Sequence, residues 1–195
     1  MRIGGFQKFS LIDFPQKTSA IIFTQGCNFR CEYCHNPELV YHNLFKIPIP
    51  VEQILSFLEI RKNQLDAVVI TGGEPTCQED LEDFICRIKS IGYLIKLDTN
   101  GSNPQILKGI IDKKLIDFIA MDIKAPFDKY SFLTCVPVDI EKIRTSIEII
   151  KNSKVKYEFR TTYDTSKLFP SDIEKIKIFF EETNYRIQNC NSLIK

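Results

Sequence analysis

Cys27, Cys31 and Cys34 crowd into the stretch Cys27-Asn28-Phe29-Arg30-Cys31-Glu32-Tyr33-Cys34, the densest concentration of reactive side chains in the chain. Three thiolates from one tight loop can hold three corners of an iron–sulfur cube and leave the fourth iron without a protein ligand. An open iron is a place for chemistry, whereas a fully ligated cluster mainly passes electrons. Familiar four-cysteine spacings do not include this C-x3-C-x2-C triplet. The competing reading is a structural zinc site made of the same three cysteines and His35, since zinc favours such a set. Cys34 and His35 are adjacent, however, and both would have to turn onto one ion. Zinc ligand pairs are normally spaced by two or more residues.

The other polar and glycine-rich motifs close apolar runs that read as strands. The cysteines follow a run at Ser19–Thr24, and Gly72-Gly73-Glu74-Pro75 follows one at Ala67–Thr71. Asp98-Thr99-Asn100-Gly101 closes Leu94–Asp98, Asp122-Ile123-Lys124 closes Phe118–Ile123, and Arg160-Thr161-Thr162 closes Lys156–Thr161. Each alone could be a turn, Asn-Gly and Gly-Gly being strong turn signals. Together they would converge on one mouth. Two glycines let backbone approach a ligand with no Cβ in the way. Asp98 and Asp122 on neighbouring strand tips would repel each other unless a cation such as Lys124 or a bound ion intervenes. The fork of Arg160 suits a planar carboxylate, and a plain ion pair with Glu158 or a neighbouring acid is the alternative. With two histidines, His35 and His42, and no nucleophile motif, triad chemistry has little support.

These motifs need a scaffold that puts strand ends side by side. Apolar runs alternate with amphipathic segments, and a weaker sixth run lies at Tyr185–Gln188. Ile54, Leu55 and Leu58 recur at helical spacing, as do Leu81, Phe84, Ile85 and Ile88. Ile106, Leu107, Ile110 and Ile111 form a third face, Ile140, Ile143, Ile147 and Ile150 a fourth, and Ile173, Ile176 and Phe180 a fifth. Gly92 is placed to stop the second helix, and Ser171 with Glu174 fits a capping box after Pro170. Segment 36–50 reads as an irregular loop or short helices, and segment 125–139 as a second long loop. The pattern predicts an α/β fold, an open, partial (β/α)6 TIM-like barrel with parallel strands, in one domain over residues 1–195; a flavodoxin-like open sheet is the alternative. Both place functional residues at the carboxyl ends of strands.

Composition narrows the partners. Of 195 residues, 44% are apolar and 26% charged, and the formal net charge is +1. Nothing there calls for nucleic acid or an anionic membrane. No secretory leader pattern and no membrane-length apolar run is seen, so a cytoplasmic location is expected. Seven cysteines are an odd number, and three crowd into eight residues, which suits metal binding in a reducing compartment. Cys77, Cys86, Cys135 and Cys190 are scattered, so no second cluster is expected, and Cys86 reads as a small buried hydrophobe.

The cysteine triplet with Gly72-Gly73-Glu74-Pro75 resembles the radical S-adenosylmethionine (radical SAM) enzymes. The stretches Phe9-Ser10-Leu11-Ile12-Asp13-Phe14-Pro15, Phe23-Thr24-Gln25-Gly26-Cys27 and Tyr33-Cys34-His35-Asn36-Pro37-Glu38-Leu39 are similar to the activating proteins of anaerobic ribonucleoside-triphosphate reductase, related to pyruvate formate-lyase activating enzymes. The likeness runs over nearly the whole chain, including Met121–Pro126 and Tyr157–Thr162. It implies a 4Fe-4S cluster on Cys27, Cys31 and Cys34. It implies S-adenosyl-L-methionine (SAM) held near Tyr33, Gly72, Gly73, Glu74, Asp98, Asp122, Lys124 and Arg160. Tyr33 would pack near the adenine and Arg160 would meet the carboxylate. An additional cation between Asp98 and Asp122 is a further expectation from the resemblance. The implied activity is reductive cleavage of SAM to a 5′-deoxyadenosyl radical that takes hydrogen from a glycine of a partner glycyl radical enzyme, with flavodoxin or ferredoxin as electron donor. A small-molecule radical SAM enzyme such as 7-carboxy-7-deazaguanine synthase is the second reading, although its usual opening motif is not found. A non-catalytic zinc- or cluster-binding module is the third.

Overall fold

Six apolar runs predicted as strands all form, and they pair in chain order. The computed structural model describes residues 1–189 apart from residue 182. Its sheet runs β1 (Ile3–Phe14), β2 (Lys17–Thr24), β3 (Ala67–Gly72), β4 (Leu94–Thr99), β5 (Phe118–Asp122), β6 (Lys156–Tyr163) and β7 (Tyr185–Asn189), each beside the next. From β2 to β7 every pairing is parallel, as crossover helices require. The outermost strands β1 and β7 each have one neighbour, so the sheet is open.

The first strand was not expected. β1 is antiparallel to β2, with register shifts at Ile3/Gly5, Gln7/Ser10 and Ser10/Phe14. These bulges, two glycines and Lys8 erase the alternation that marks a regular strand. A two-residue turn, Pro15-Gln16, joins the hairpin, and Gln16 takes φ 60°.

Helices α1 (Val51–Arg61), α2 (Leu81–Ile91), α3 (Pro104–Asp112), α5 (Ile140–Lys151) and α6 (Pro170–Phe179) follow the five apolar faces. Gly92 ends α2 in the left-handed region at φ 110°, where a Cβ would be strained. Ile106 points outward, while Leu107 and Ile110 fill the core. Cys86 is exposed rather than buried, because it falls one step off the face carrying Ile85 and Ile88. At α6 the cap is Asp172, not Ser171 with Glu174: its Oδ2 accepts from the Phe169 N–H at 2.9 Å. Segment 125–139 is not all loop, since it holds α4 (Tyr130–Thr134) with Tyr130 fully buried. Cys190 lies outside the described residues.

The sheet's two faces differ. Ala20, Ile22, Val68, Ile70, Ile95, Leu97, Ile119, Met121 and Phe159 point outward into the main core with the helices. Alternate residues point inward, where a small apolar floor of Phe14, Ile21, Ala67, Val69, Phe118 and Ala120 underlies a charged upper half.

Candidate functional site

All eleven residues singled out by the sequence line one open-mouthed cavity at the carboxyl ends of the strands. Cys27, Cys31 and Cys34 form one wall, the Gly72-Gly73-Glu74 turn a second, and Asp98, Asp122, Lys124 and Arg160 a third. Among the described residues, no three His, Cys, Asp or Glu side chains converge closely enough to hold one metal ion.

The glycines are required by the chain's own backbone. Gly72 has φ 114°, and a Cβ there would sit 2.3 Å from the Thr24 nitrogen. A Cβ on Gly73 would sit 2.1 Å from the Gly26 carbonyl oxygen. The close contact lets the Gly73 N–H donate to the Thr24 carbonyl (2.9 Å) and the Glu74 N–H to the Gly26 carbonyl (2.8 Å). The second turn is thus bonded directly to the start of the cysteine loop.

Glu74 is the hub of the strand ends. Its carboxylate is buried and accepts from the Thr76 N–H (3.1 Å), Thr76 Oγ1 (2.6 Å), Thr99 Oγ1 (2.7 Å) and the Asn100 N–H (2.6 Å). Burial pushes this carboxyl above its ordinary pKa, and the four donors pull the other way. Asn100 Nδ2 then donates to Asn28 Oδ1 (2.9 Å), and Asn28 Nδ2 donates to Ser102 Oγ (2.8 Å). This network ties the cysteine loop, the Gly-Gly turn and the Asp98–Gly101 turn into one frame. Asn28, Thr99 and Asn100 were not among the site residues named from the sequence. The visible signal was an amide residue beside Cys27 facing a second one in an Asn-Gly turn.

Below the cysteines, α4 supplies a buttress. The Arg30 N–H donates to the Thr134 carbonyl at 2.8 Å, and Phe29 packs edge-on to Tyr130. The loop is therefore anchored in the main core through buried Phe29. Arg30 Nη1 donates back to the carbonyls of Cys27 (2.6 Å) and Phe29 (2.8 Å), fixing the loop's curve.

Arg160 is the cation between the two acids. Its Nε donates to Asp122 Oδ1 at 2.5 Å, and its Nη2 lies 3.2 Å from Asp98 Oδ2. Lys124 Nζ donates to Asp122 Oδ2 at 2.8 Å. Lys96, buried on β4, donates to the Asp13 carbonyl (2.7 Å) and stands 3.1 Å from Asp98 Oδ1. Burial alone would raise the Asp122 carboxyl, but Arg160 and Lys124 overcome it and hold it well below the usual carboxylate range. Burial pushes the Cys27 thiol up to about 12 and raises Cys31, with Lys124 pulling both down. Glu158 pairs instead with Arg186, at 3.5 Å.

One buried oxygen in this cavity, Tyr33 Oη, has no hydrogen-bond partner, although the Cys31 thiol lies beside it; Asp98 Oδ1 is met by the Lys96 ammonium at 3.1 Å. Buried polar atoms left unpaired in a polar cavity mark places for a ligand. Three thiols, the unpaired Tyr33 hydroxyl and a wall that carries both acids and cations fit a thiolate-held cluster with a zwitterionic ligand beside it.

Residues 21–179 match the family model of the Radical SAM superfamily. The chain belongs to this superfamily. A radical SAM enzyme uses a 4Fe-4S cluster and SAM, and those are the cofactors of this protein. A Methanocaldococcus jannaschii protein, named provisionally as a glycyl-radical enzyme activating enzyme, is 40% identical over 179 residues, covering 89% of this chain and 73% of the relative. A second M. jannaschii protein of the same name is 33% identical over 175 residues, covering 85% of this chain and 65% of the relative. A solved structure of anSMEcpe with bound AdoMet superposes with a TM-score of 0.68 at 18% identity, over 86% of this chain and 49% of that one. The last likeness speaks to the partial-barrel fold.

Proposed function

We propose that this radical SAM enzyme activates a glycyl radical enzyme, with anaerobic ribonucleoside-triphosphate reductase as the target and flavodoxin or ferredoxin as the reductant. The observation that supports it most is the bonding of the cysteine loop to the Gly72-Gly73 turn above one open cavity. The names of the two relatives, and the opening stretch Phe9–Pro15, favour an activase over other members of the superfamily.

With cluster and SAM bound, the chemistry on offer is a one-electron cleavage that delivers a 5′-deoxyadenosyl radical. The chain's part is to hold and to exclude. Cys27, Cys31 and Cys34 would ligate three irons, and Lys124 offsets the charge of their thiolates. The backbone of Gly72 and Gly73 lies at the cavity wall, where carbonyls can meet an ammonium group. Glu74 acts through its bonds to Thr76, Thr99 and Asn100, so it is a positioning residue. Arg160 would meet the carboxylate of SAM with a fork already charged and already oriented by Asp98 and Asp122. Tyr33 walls the cavity beside Cys31 and limits water there.

The test is anaerobic reconstitution with iron and sulfide, reduction, and mixing with the reductase and SAM. A glycyl radical signal by electron paramagnetic resonance is expected. SAM cleavage without that signal would move the chain to the small-molecule class. No cleavage by a reduced, cluster-loaded protein would remove both enzyme readings.

A further inference from the structure

The open sheet has two edges, and the chain treats them differently. At β1 the edge is bulged three times, carries Lys8, and is partly capped: the Ile49 N–H donates to the Ile3 carbonyl and Gln7 Nε2 to the Phe9 carbonyl. These are the usual devices that keep an edge from pairing. Among the described residues β7 shows no bulge and no such cap, although it carries the charged Arg186. Its five residues pair with β6 in unbroken register from Phe159↔Tyr185 to Tyr163↔Asn189, with no proline and no lysine.

The ladder fixes which backbone groups remain. The Phe159 N–H donates to the Asn184 carbonyl at 2.8 Å. In a parallel pair, alternate residues turn both their groups to the same neighbour. Arg186 and Gln188 therefore bond to β6, while Ile187 and Asn189 aim N–H and C=O away from the sheet. Among the described residues those outward groups meet no partner. The same strand also borders the site: Gln188 lines the cavity next to Arg160 and Thr162, and its Nε2 donates to Thr162 Oγ1 at 3.0 Å. No residue of β1 lines it.

We infer that the outer edge of β7 receives an extended segment of the glycyl radical partner as an added strand, which lays the target glycine across the cavity mouth. This rests on the activase reading. Strand addition supplies affinity through main-chain bonds and asks little of side chains. It also gives a reason for glycine. On an added strand, alternate residues face the inner side of the sheet. A residue there would aim its Cβ at the cavity, and glycine aims a Cα hydrogen in that direction instead.

The experiment uses the full chain with the anaerobic ribonucleoside-triphosphate reductase of the same genome. Amide hydrogen exchange at Ile187 and Asn189 should slow at least tenfold in the complex, while Arg186 and Gln188 stay as they were. Ile187→Pro deletes one outward N–H without touching the β6 ladder, as edge positions tolerate. Ile187→Ala trims the same side chain and keeps the amide. The proline variant should bind the reductase at least tenfold more weakly than the alanine variant and lose glycyl radical formation, with SAM cleavage retained. Equal binding by both variants, or unchanged exchange at Ile187 and Asn189 in a formed complex, overturns the inference and leaves the activase reading standing. If the proline variant fails to fold, the exchange pattern of the natural chain decides. If the natural chain forms neither complex nor radical with the reductase, both readings fall together.

Discussion

The two faces of one sheet divide the work of this protein. On the outer face, Ile95, Leu97, Met121 and Phe159 are fully buried against helices. Their side chains make no directed bond, so what they contribute is area removed from water. On the inner face, at the same strands and one residue further along, stand Lys96, Asp98, Asp122 and Arg160, held by ion pairs of 2.5 to 3.2 Å. Desolvating such charges offsets much of their attraction, so this network adds little net stability. It fixes positions instead. Outer residues should therefore be costly to the fold and silent in the chemistry, with the reverse for inner ones.

The largest effect tests the inner side. Cys31→Ala should abolish SAM cleavage, measured as 5′-deoxyadenosine and methionine under anaerobic reduction, because two thiolates no longer hold the cluster. Thermal unfolding of the metal-free protein should change by only about 1 kcal/mol for the lost sulfur contacts. Full cleavage in the variant would contradict the ligand assignment. A collapse of the metal-free fold would break the division between the faces.

Ile85→Ala is the matching probe outside. Ile85 is fully buried on α2, and its truncation should cost about 2–5 kcal/mol in denaturant unfolding. Below the new midpoint, cleavage per loaded cluster should match the natural chain. A loss of turnover in the folded variant would show that outer packing reaches the site after all.

That division explains what the sequence displayed. The outer face and the helices were legible because burial imposes a period of two on strands and about 3.6 on helices, as at Ile85 and Ile88. The cysteines and the strand-end motifs were legible because few other arrangements need those residues at those spacings. β1 was hidden since Gly4, Gly5, Lys8 and three bulges leave no alternation to read. The role of Glu74 was hidden too: a carboxylate turned inward onto Thr76, Thr99 and Asn100 looks, in sequence, like one turned toward a ligand. For Arg160 both fates had been visible, ligand or ion pair. In the fold it takes the acids, Asp98 and Asp122, and its guanidinium supplies a positive charge between them.

Glu74→Gln probes the frame where the two faces meet. The amide keeps an oxygen for Thr76 and Thr99 but sets a donor against the Asn100 N–H, and a buried clash of that kind costs about 1–3 kcal/mol. Stability should fall by that amount, and SAM affinity, read by isothermal titration on the loaded protein, should fall with it. Normal affinity in a destabilised variant would confine Glu74 to the fold.

The smallest effect lies outside both faces, at the start of α6, and serves as the control for charge. Asp172 is buried, accepts from the Phe169 N–H at 2.9 Å and from Lys129 Nζ at 2.8 Å. Burial would raise its carboxyl, but Lys129 and the Phe169 N–H outweigh that and hold its pKa below the usual value. A depressed folded pKa means stability that is present above the unfolded value near ~3.9 and is lost as pH falls through the lower folded one. Asp172→Asn removes the charge and keeps an oxygen, so at pH 7 it should cost about 0.3–1 kcal/mol, the scale of a charge at a helix N-terminus. As pH falls from about 4 toward and below the folded pKa the two proteins should converge, since the aspartate then becomes neutral as well. Unfolding curves measured across that window check the sign. A gap that does not narrow as pH falls would mean the residue acts by shape, and the low cost expected of a charge placed away from the inner network would have to be drawn from another site.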